Sequence, residues 1–307
     1  MSQPLALRTK TLIGRSPGPH LLITGGVHGD EFEPMAAARR LARLIDPSEL
    51  SGKLTLVPIV NEPAFLRGQR TAEDGLDLAR ACPGKPDGSI TQKIAYQLSA
   101  LIRAADYYVD LHTGGTALKV LPLVGYSLHE NQMVLDQQRR MARAFNLPIL
   151  WGTTPRLEGR SLSVARDANV PAIYAEWGGG GGCDPAGVAA YVDGCLGVMA
   201  ELKMLKRAVP FADIQHIVED PRAGSGHMQL CHPAPGDGFF EASVELGQRV
   251  SEGDKLGTVS DPLGDDVLVC PAQQTGLLIC LRIFPKVSKG DSLGVILETD
   301  RAGESQP

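Results

Sequence analysis

Strand-like runs rich in apolar residues recur at positions 21–24, 53–60, 107–111, 120–125 and 172–175. Between many of these runs the apolar positions recur at helical spacing, over 35–45, 91–104, 131–145 and 186–205. That alternation predicts an α/β domain with a largely parallel sheet flanked by helices, ending near Val209. From 210 onward the texture changes to short β-rich runs with frequent Gly and Pro and no helical period. A smaller all-β domain is expected over 210–307, after an α/β domain over 1–209.

The ends of the predicted strands carry the candidate chemistry. The run 21–24 stops at Gly25-Gly26, and a helix follows from about Glu33. His28 and Glu31 stand on the turn between them, at the strand-to-helix edge where α/β sheets hold ligands. An imidazole and a carboxylate suit zinc, and catalytic zinc sites commonly add a second His and leave one position open for water. A His-x-x-Glu spacing alone also fits a solvated loop with a capping carboxylate. The second strand end, Tyr-Tyr-Val-Asp-Leu-His-Thr-Gly-Gly over 107–115, puts His112 in the same setting as His28 and offers Asp110 to support a ligand. At the third, Glu176 precedes Trp177 and five glycines. Glu176 reads as an edge carboxylate or, beside a metal, a general base. The glycine run has no following Lys-Ser/Thr and so is not a phosphate loop; it reads as backbone that yields to a substrate.

Residues 61–90 are irregular, and Arg67, Arg70 and Arg80 stand there among turn residues. A loop of that length inside a compact domain usually carries function.

Composition narrows the field. A net charge of -5 gives no electrostatic case for nucleic acid or an anionic membrane surface. No apolar run has the length of a membrane span, and the N-terminal residues lack the apolar core of a signal peptide, so a cytoplasmic location is expected. Cys82, Cys183, Cys195, Cys231, Cys270 and Cys280 are scattered without a Cys-x-x-Cys pair, which argues against a disulfide framework or a zinc ribbon.

Three motifs in order, Gly-Gly-Val-His-Gly-Asp-Glu at 25–31, Asp-Leu-His-Thr-Gly at 110–114 and Glu176 with its glycines, resemble the succinylglutamate desuccinylase/aspartoacylase family, itself similar to zinc carboxypeptidases. Within it the chain is most similar to bacterial predicted deacylases with a C-terminal β domain. The resemblance implies one zinc ion per chain held by His28, Glu31 and His112. It implies Glu176 as general base, Arg70 facing the scissile carbonyl oxygen and Arg80 holding a substrate carboxylate. The sequence departs from the family's Asp-Leu-Asn-Arg motif at Ala79, which removes an amide, and Cys82 replaces the Phe of Phe-Pro-Gly.

In the C-terminal part, Val-Ser-Glu-Gly-Asp-Lys-Leu-Gly-Thr-Val from Val250 and Val-Ser-Lys-Gly-Asp-Ser-Leu-Gly-Val-Ile from Val287 repeat each other. They resemble the two halves of a biotinyl/lipoyl-type flattened barrel. No lysine lies between Leu256 and Pro285, so the hairpin has no attachment point for a swinging arm. The domain is expected to pack against the catalytic one, narrowing the site or offering a homo-oligomer surface. His216, His227, His232 and His129 lack a tight ligand spacing and read as ordinary polar residues.

These features predict a zinc-dependent deacylase that cleaves the amide of a small N-acylated amino acid or amine. A carboxypeptidase-like exopeptidase would use the same metal, base and arginine. A metal-binding scaffold or sensor would keep the ligands but lose Glu176 or Arg70, and both are present.

Overall fold

The computed structural model describes residues 6–209, 213–226, 228 and 231–298. The expected domain boundary at 210 and His227 lie outside the described residues. In chain order the elements begin with β1 (Lys10–Ile13), β2 (Ser16–Thr24), α1 (Phe32–Leu44), β3 (Ser51–Val57) and α2 (Glu62–Arg67). A single 3-10 turn, Leu78–Arg80, breaks the long connection to α3 (Ile90–Arg103). Next come β4 (Tyr107–His112), β5 (Leu118–Ser127), α4 (Gln132–Phe145), β6 (Ile149–Thr153), α5 (Ser161–Asp167), β7 (Ala172–Gly179) and α6 (Pro185–Glu201). The remainder is all strand: β8 (His216–Glu219), β9 (Gly238–Ala242), β10 (Arg249–Val250), β11 (Lys255–Ser260), β12 (Val267–Pro271), β13 (Gly276–Arg282), β14 (Lys286–Val287) and β15 (Gly294–Leu297).

The central sheet runs β1-β3-β2-β4-β7-β5. β3, β2, β4 and β7 are mutually parallel, while β1 and β5 run against their neighbours. Strand alternation sends successive side chains to opposite layers. Leu21 and Ile23 enter the core shared with α1, α4 and α6, whereas Leu22 enters the core formed with α3 and α5. The same rule places Tyr108, Asp110, Tyr174 and Glu176 on the α5 side of the sheet. Helix ends follow local chemistry: Ser89 and Gln92 form a reciprocal capping box at α3, and Asn131 caps α4. The expected helices are present with ends shifted by a few residues. The short α2 and α5, and strands β1, β6 and β8, have too little periodic pattern to announce themselves.

The strands expected to form a separate C-terminal sheet do not all do so. The far edge of β5 is shared by β6, which pairs with residues 123–127, and by β13, which pairs antiparallel with residues 118–120. β8 extends the sheet beyond β6, and β10 and β15 flank β13. Only β12-β11-β9-β14 form a second sheet. An open edge on β5 would expose unpaired backbone groups, and the C-terminal strands cover it. The two sequence repeats cross between the sheets in opposite senses. The first goes from β10 in the large sheet to β11 in the small one, and the second from β14 in the small sheet to β15 in the large one. Phe240, Leu256, Val259, Leu278, Val287 and Ile296 fill the space between. No helix among the described residues is long and apolar enough to cross a membrane.

Candidate active site

His28 and Glu31 lie on the turn after β2, with Glu31 at the residue preceding α1. His112 ends β4, and Glu176 sits opposite it in register on β7. The three strand ends thus deliver the residues singled out from the sequence to one place. The Nδ1 of His28 is 2.6 Å from Glu31 Oε1, and the Nδ1 of His112 is 3.0 Å from Glu31 Oε2. One donor atom from each residue falls within 4.8 Å of the others, and among the described residues no other group of three such side chains does so.

The far nitrogen of each ring faces a second carboxylate. His28 Nε2 is 3.1 Å from Asp77 Oδ1, and His112 Nε2 is 3.2 Å from Asp110 Oδ2. This arrangement fixes the ring orientation and favours the tautomer with the proton on Nε2, leaving Nδ1 free to ligate. Asp110 is itself held by the Thr24 hydroxyl at 2.7 Å and by the Ser161 hydroxyl. Burial works to raise the Asp110 and Glu31 carboxyls, but their imidazole neighbours outweigh it and hold both below the ordinary range. Burial likewise disfavours the His112 cation, yet Asp110 and Glu31 together lift its pKa well above the usual value. Two imidazoles and a carboxylate, each backed by further hydrogen bonds, are a donor set that fits zinc.

Arg70 donates from Nε and Nη2 to Asp77 Oδ2, at 3.2 and 2.9 Å, and its Nη1 lies 3.9 Å from Glu31 Oε1. Asp77 therefore braces both His28 and Arg70. Burial opposes its charge, but the hydrogen bond from His28 and the charge of Arg70 hold its carboxyl far below the usual range. Glu176 is buried, and its Oε2 has no hydrogen-bond partner. Burial pushes its carboxyl up to about 8, opposed by His112 and reinforced by Glu31.

A cavity opens from this cluster across the α5 face of the sheet. It is bordered by Arg80, Arg160 and Tyr174 and reaches Ser127 and Thr153. Gly226 and Met228, from the segment after β8, line one side of it. Arg160 was not foreseen from sequence. Its Nη1 donates to the Gly226 carbonyl at 3.2 Å, but its Nε and Nη2 are buried with no partner. Burial and the neighbouring Arg80 lower its pKa to about 10. Arg80 lines the same cavity and donates from Nη1 only to the carbonyl of Ala79. Arg67 is exposed, bonded to Gln69, and has no part in the cluster.

The glycine run after β7 does not stand free to yield. Gly180 and Gly181 donate to the Gly115 carbonyl at 2.6 and 3.0 Å, and Gly178 accepts from Gly114. Gly179 has φ +124, and a Cβ there would meet the Leu118 carbonyl oxygen at 2.2 Å. Glycine is required because two backbone segments touch, and the contact fixes the loop that follows His112. Other candidates resolve as structural. His129 joins the Arg166 carbonyl and the Asn131 amide, and His232 joins the Gly294 carbonyl and the Gln273 amide. His216 is a strand residue of β8.

Its similarity to known deacylases makes the chain an amidohydrolase acting on acylated amino acids. The chain belongs to the succinylglutamate desuccinylase/aspartoacylase family, whose catalytic-domain model matches residues 17–202. It is 32% identical over 298 residues to the N-alpha-acetyl-L-2,4-diaminobutyric acid deacetylase of Halomonas elongata, a match spanning 94% of this chain and 84% of that protein. Among solved structures it is similar to a succinylglutamate desuccinylase from Silicibacter sp. TM1040, with a TM-score of 0.84 at 28% identity, over 95% of this chain and 88% of that one. It is also similar to the product-bound ectoine utilization protein EutE (DoeB) from Ruegeria pomeroyi, with a TM-score of 0.83 at 28% identity, over 94% and 88% of the two chains.

Proposed function

We propose that this protein is a zinc-dependent deacylase of a small N-acylated amino acid, with the chemistry carried by residues 1–209 and the wall of the pocket completed by the C-terminal part. The observation that carries the reading is the juxtaposition of His28, Glu31 and His112 donor atoms within 4.8 Å, beside a Glu176 carboxylate oxygen that nothing in the protein satisfies. His28, Glu31 and His112 would hold the ion, which supplies a Lewis acid and a water acidic enough to act at neutral pH. Glu176 Oε2 takes the proton from the attacking water and delivers it to the departing nitrogen, a role typically worth about 10²–10⁴-fold. Arg70, held in place by Asp77, presents Nη1 to the carbonyl oxygen as negative charge builds there.

Arg80 and the unpartnered edge of Arg160 form the cationic end of the pocket and bind the carboxylate of the amino-acid moiety. This assignment gives Arg160 a substrate role alongside Arg80 and offsets the amide lost at Ala79, because a planar guanidinium edge can grip a carboxylate with two parallel bonds. The similarity to a deacetylase acting on N-alpha-acetyl-L-2,4-diaminobutyric acid favours a short acyl group. It also favours the deacylase over the exopeptidase reading.

The test is metal content of the purified protein together with amine release from N-acyl amino acids and dipeptides. One zinc per chain with turnover confined to N-acyl amino acids is expected. Turnover of dipeptides at equal or greater efficiency would establish the exopeptidase instead, and protein without bound metal that stays inactive after zinc addition would overturn the proposal.

A further inference from the structure

Tyr174 lies two residues before Glu176 on β7, so both side chains leave the same face of the sheet. Across the antiparallel pairing its partner on β5 is Gly125. A Cβ built at Gly125 would stand 2.0 Å from the Tyr174 Cζ and 2.3 Å from its hydroxyl oxygen. The phenol ring is thus laid flat on the bare backbone of β5, in space only a glycine leaves open. There it forms the floor of the cavity between Glu176 at one end and Ser127 and Thr153 at the other. No protein group among the described residues hydrogen-bonds to the Tyr174 hydroxyl, although Arg160 and Glu176 stand close enough to act on it. Tyr174 is half-buried and lines the cavity, so its hydroxyl is open to a bond that a ligand supplies.

With the amide nitrogen at Glu176 and the carboxylate at Arg160, the side chain of the amino-acid moiety is the part of the substrate that descends onto this floor. We propose that Tyr174 is a specificity-determining residue that receives the end of that side chain, selecting N-acyl amino acids with a short side chain terminating in a hydrogen-bond donor. The inference rests on the deacylase reading above. The hydroxyl accepts from the donor, Ser127 and Thr153 add oxygens beside it, and the ring sets the depth. A site built to hydrogen-bond a substrate group rejects analogues that lack it, because its own polar atom is then left unpaired.

The experiment compares the zinc-loaded wild type with Tyr174→Phe on two N-acetyl amino acids of nearly equal length, 2,4-diaminobutyrate and norvaline, the latter ending in methyl where the former ends in an amine. Binding of the two free amino acids is measured alongside by calorimetry. The wild type is expected to favour the diamino compound through KM. Tyr174→Phe should erase about tenfold or more of that preference, the worth of one hydrogen bond to a charged ammonium group, in both KM and product affinity, with the larger loss on the diamino compound. Loss of both substrates in equal proportion would make the hydroxyl a support for Glu176, and an unchanged preference would remove it from recognition; either result overturns the proposal while leaving the deacylase reading standing. A wild type inactive on every N-acyl amino acid would overturn both, and calorimetry would then show no preference for the amine.

Discussion

At the carboxyl ends of β2, β4 and β7 the chain buries Glu31, Asp110 and Glu176, whereas the space between its two C-terminal sheets is filled by Phe240, Leu256, Leu278 and Ile296 with no charge among them. The first region assembles charges that burial disfavours and pairs Glu31 and Asp110 with histidines while leaving Glu176 Oε2 unpaired. The second stabilises by removing apolar surface from water. What separates them is where polar atoms lack partners. Every buried side-chain oxygen or nitrogen without a hydrogen bond among the described residues belongs to the first 176 positions, and three of these six atoms, Arg160 Nε, Arg160 Nη2 and Glu176 Oε2, border the cavity. An unsatisfied buried group is costly. Its repetition around one cavity therefore reads as provision for a ligand, and a paired charge such as Asp77 reads as support.

Replacing Glu176 with Gln breaks that contrast most sharply, since it keeps the shape of the side chain and removes its ability to take a proton. Turnover is expected to fall about 10²–10⁴-fold with metal content unchanged. Steady-state kinetics beside metal analysis of the same sample checks it, and full activity in the variant would exclude Glu176 as the base.

The complementary change is in the apolar region. Leu278 is fully buried on β13. Leu278→Ala should cost about 2–5 kcal/mol of unfolding free energy, because the sheets around it cannot collapse onto the void. Measured by denaturant unfolding, that loss should come with kcat near wild type at temperatures where the variant is folded. A large fall in kcat of the folded variant would show that the C-terminal strands do more than cover β5 and close the pocket.

A finer division separates ligands from their supports. Asp77→Asn and Asp110→Asn each leave Nδ1 of the adjacent histidine in place but weaken the carboxylate that orients the ring. About a 10- to 100-fold loss of metal affinity is expected from each, read by competition with a chromogenic chelator. Asp77→Asn should also lower kcat in metal-saturated enzyme because Arg70 loses its brace, and equal kcat in the two saturated variants would remove that role.

The legibility of this molecule follows the range of its contacts. His28, Glu31, His112 and Glu176 could be found because each ends an apolar run or stands on the turn just after one, and strand ends of a parallel sheet converge. Asp77 was visible as part of Asp-Leu-Ala-Arg, but its work depends on His28, 49 positions away. Arg160 sits on a short irregular connection with no periodic neighbour, and only three-dimensional burial singles it out. The pairing of Tyr174 with Gly125 depends on the register of β7 against β5. The union of β13 with β5 escaped for the same reason: both strands are legible, but which edge accepts which strand is decided by the whole sheet.

The smallest expected effect tests whether a charge cluster outside the cavity behaves as plain structure. Glu219 on β8 accepts from Tyr126 at 2.6 Å and from Arg139 Nε and Nη2 at 2.7 Å each, tying β8 to β5 and α4. Burial works against its charge, but these partners hold its carboxyl below the ordinary value of about 4.5. A carboxyl depressed in the folded state contributes stability that is fully present above its unfolded pKa and is lost as pH falls through the folded one. Thermal melting of the wild type should therefore weaken from about pH 4.5 downward more than that of Glu219→Gln, in which the group no longer titrates. At neutral pH the variant should be less stable by about 1 kcal/mol, because the cluster is partly solvated and screened. Catalysis should be unmoved, since none of these side chains borders the cavity. An unchanged slope of melting temperature against pH would show that Arg139 and Tyr126 do not stabilise the charged form in solution, and a change in kcat would extend the functional region beyond the unsatisfied groups that now define it.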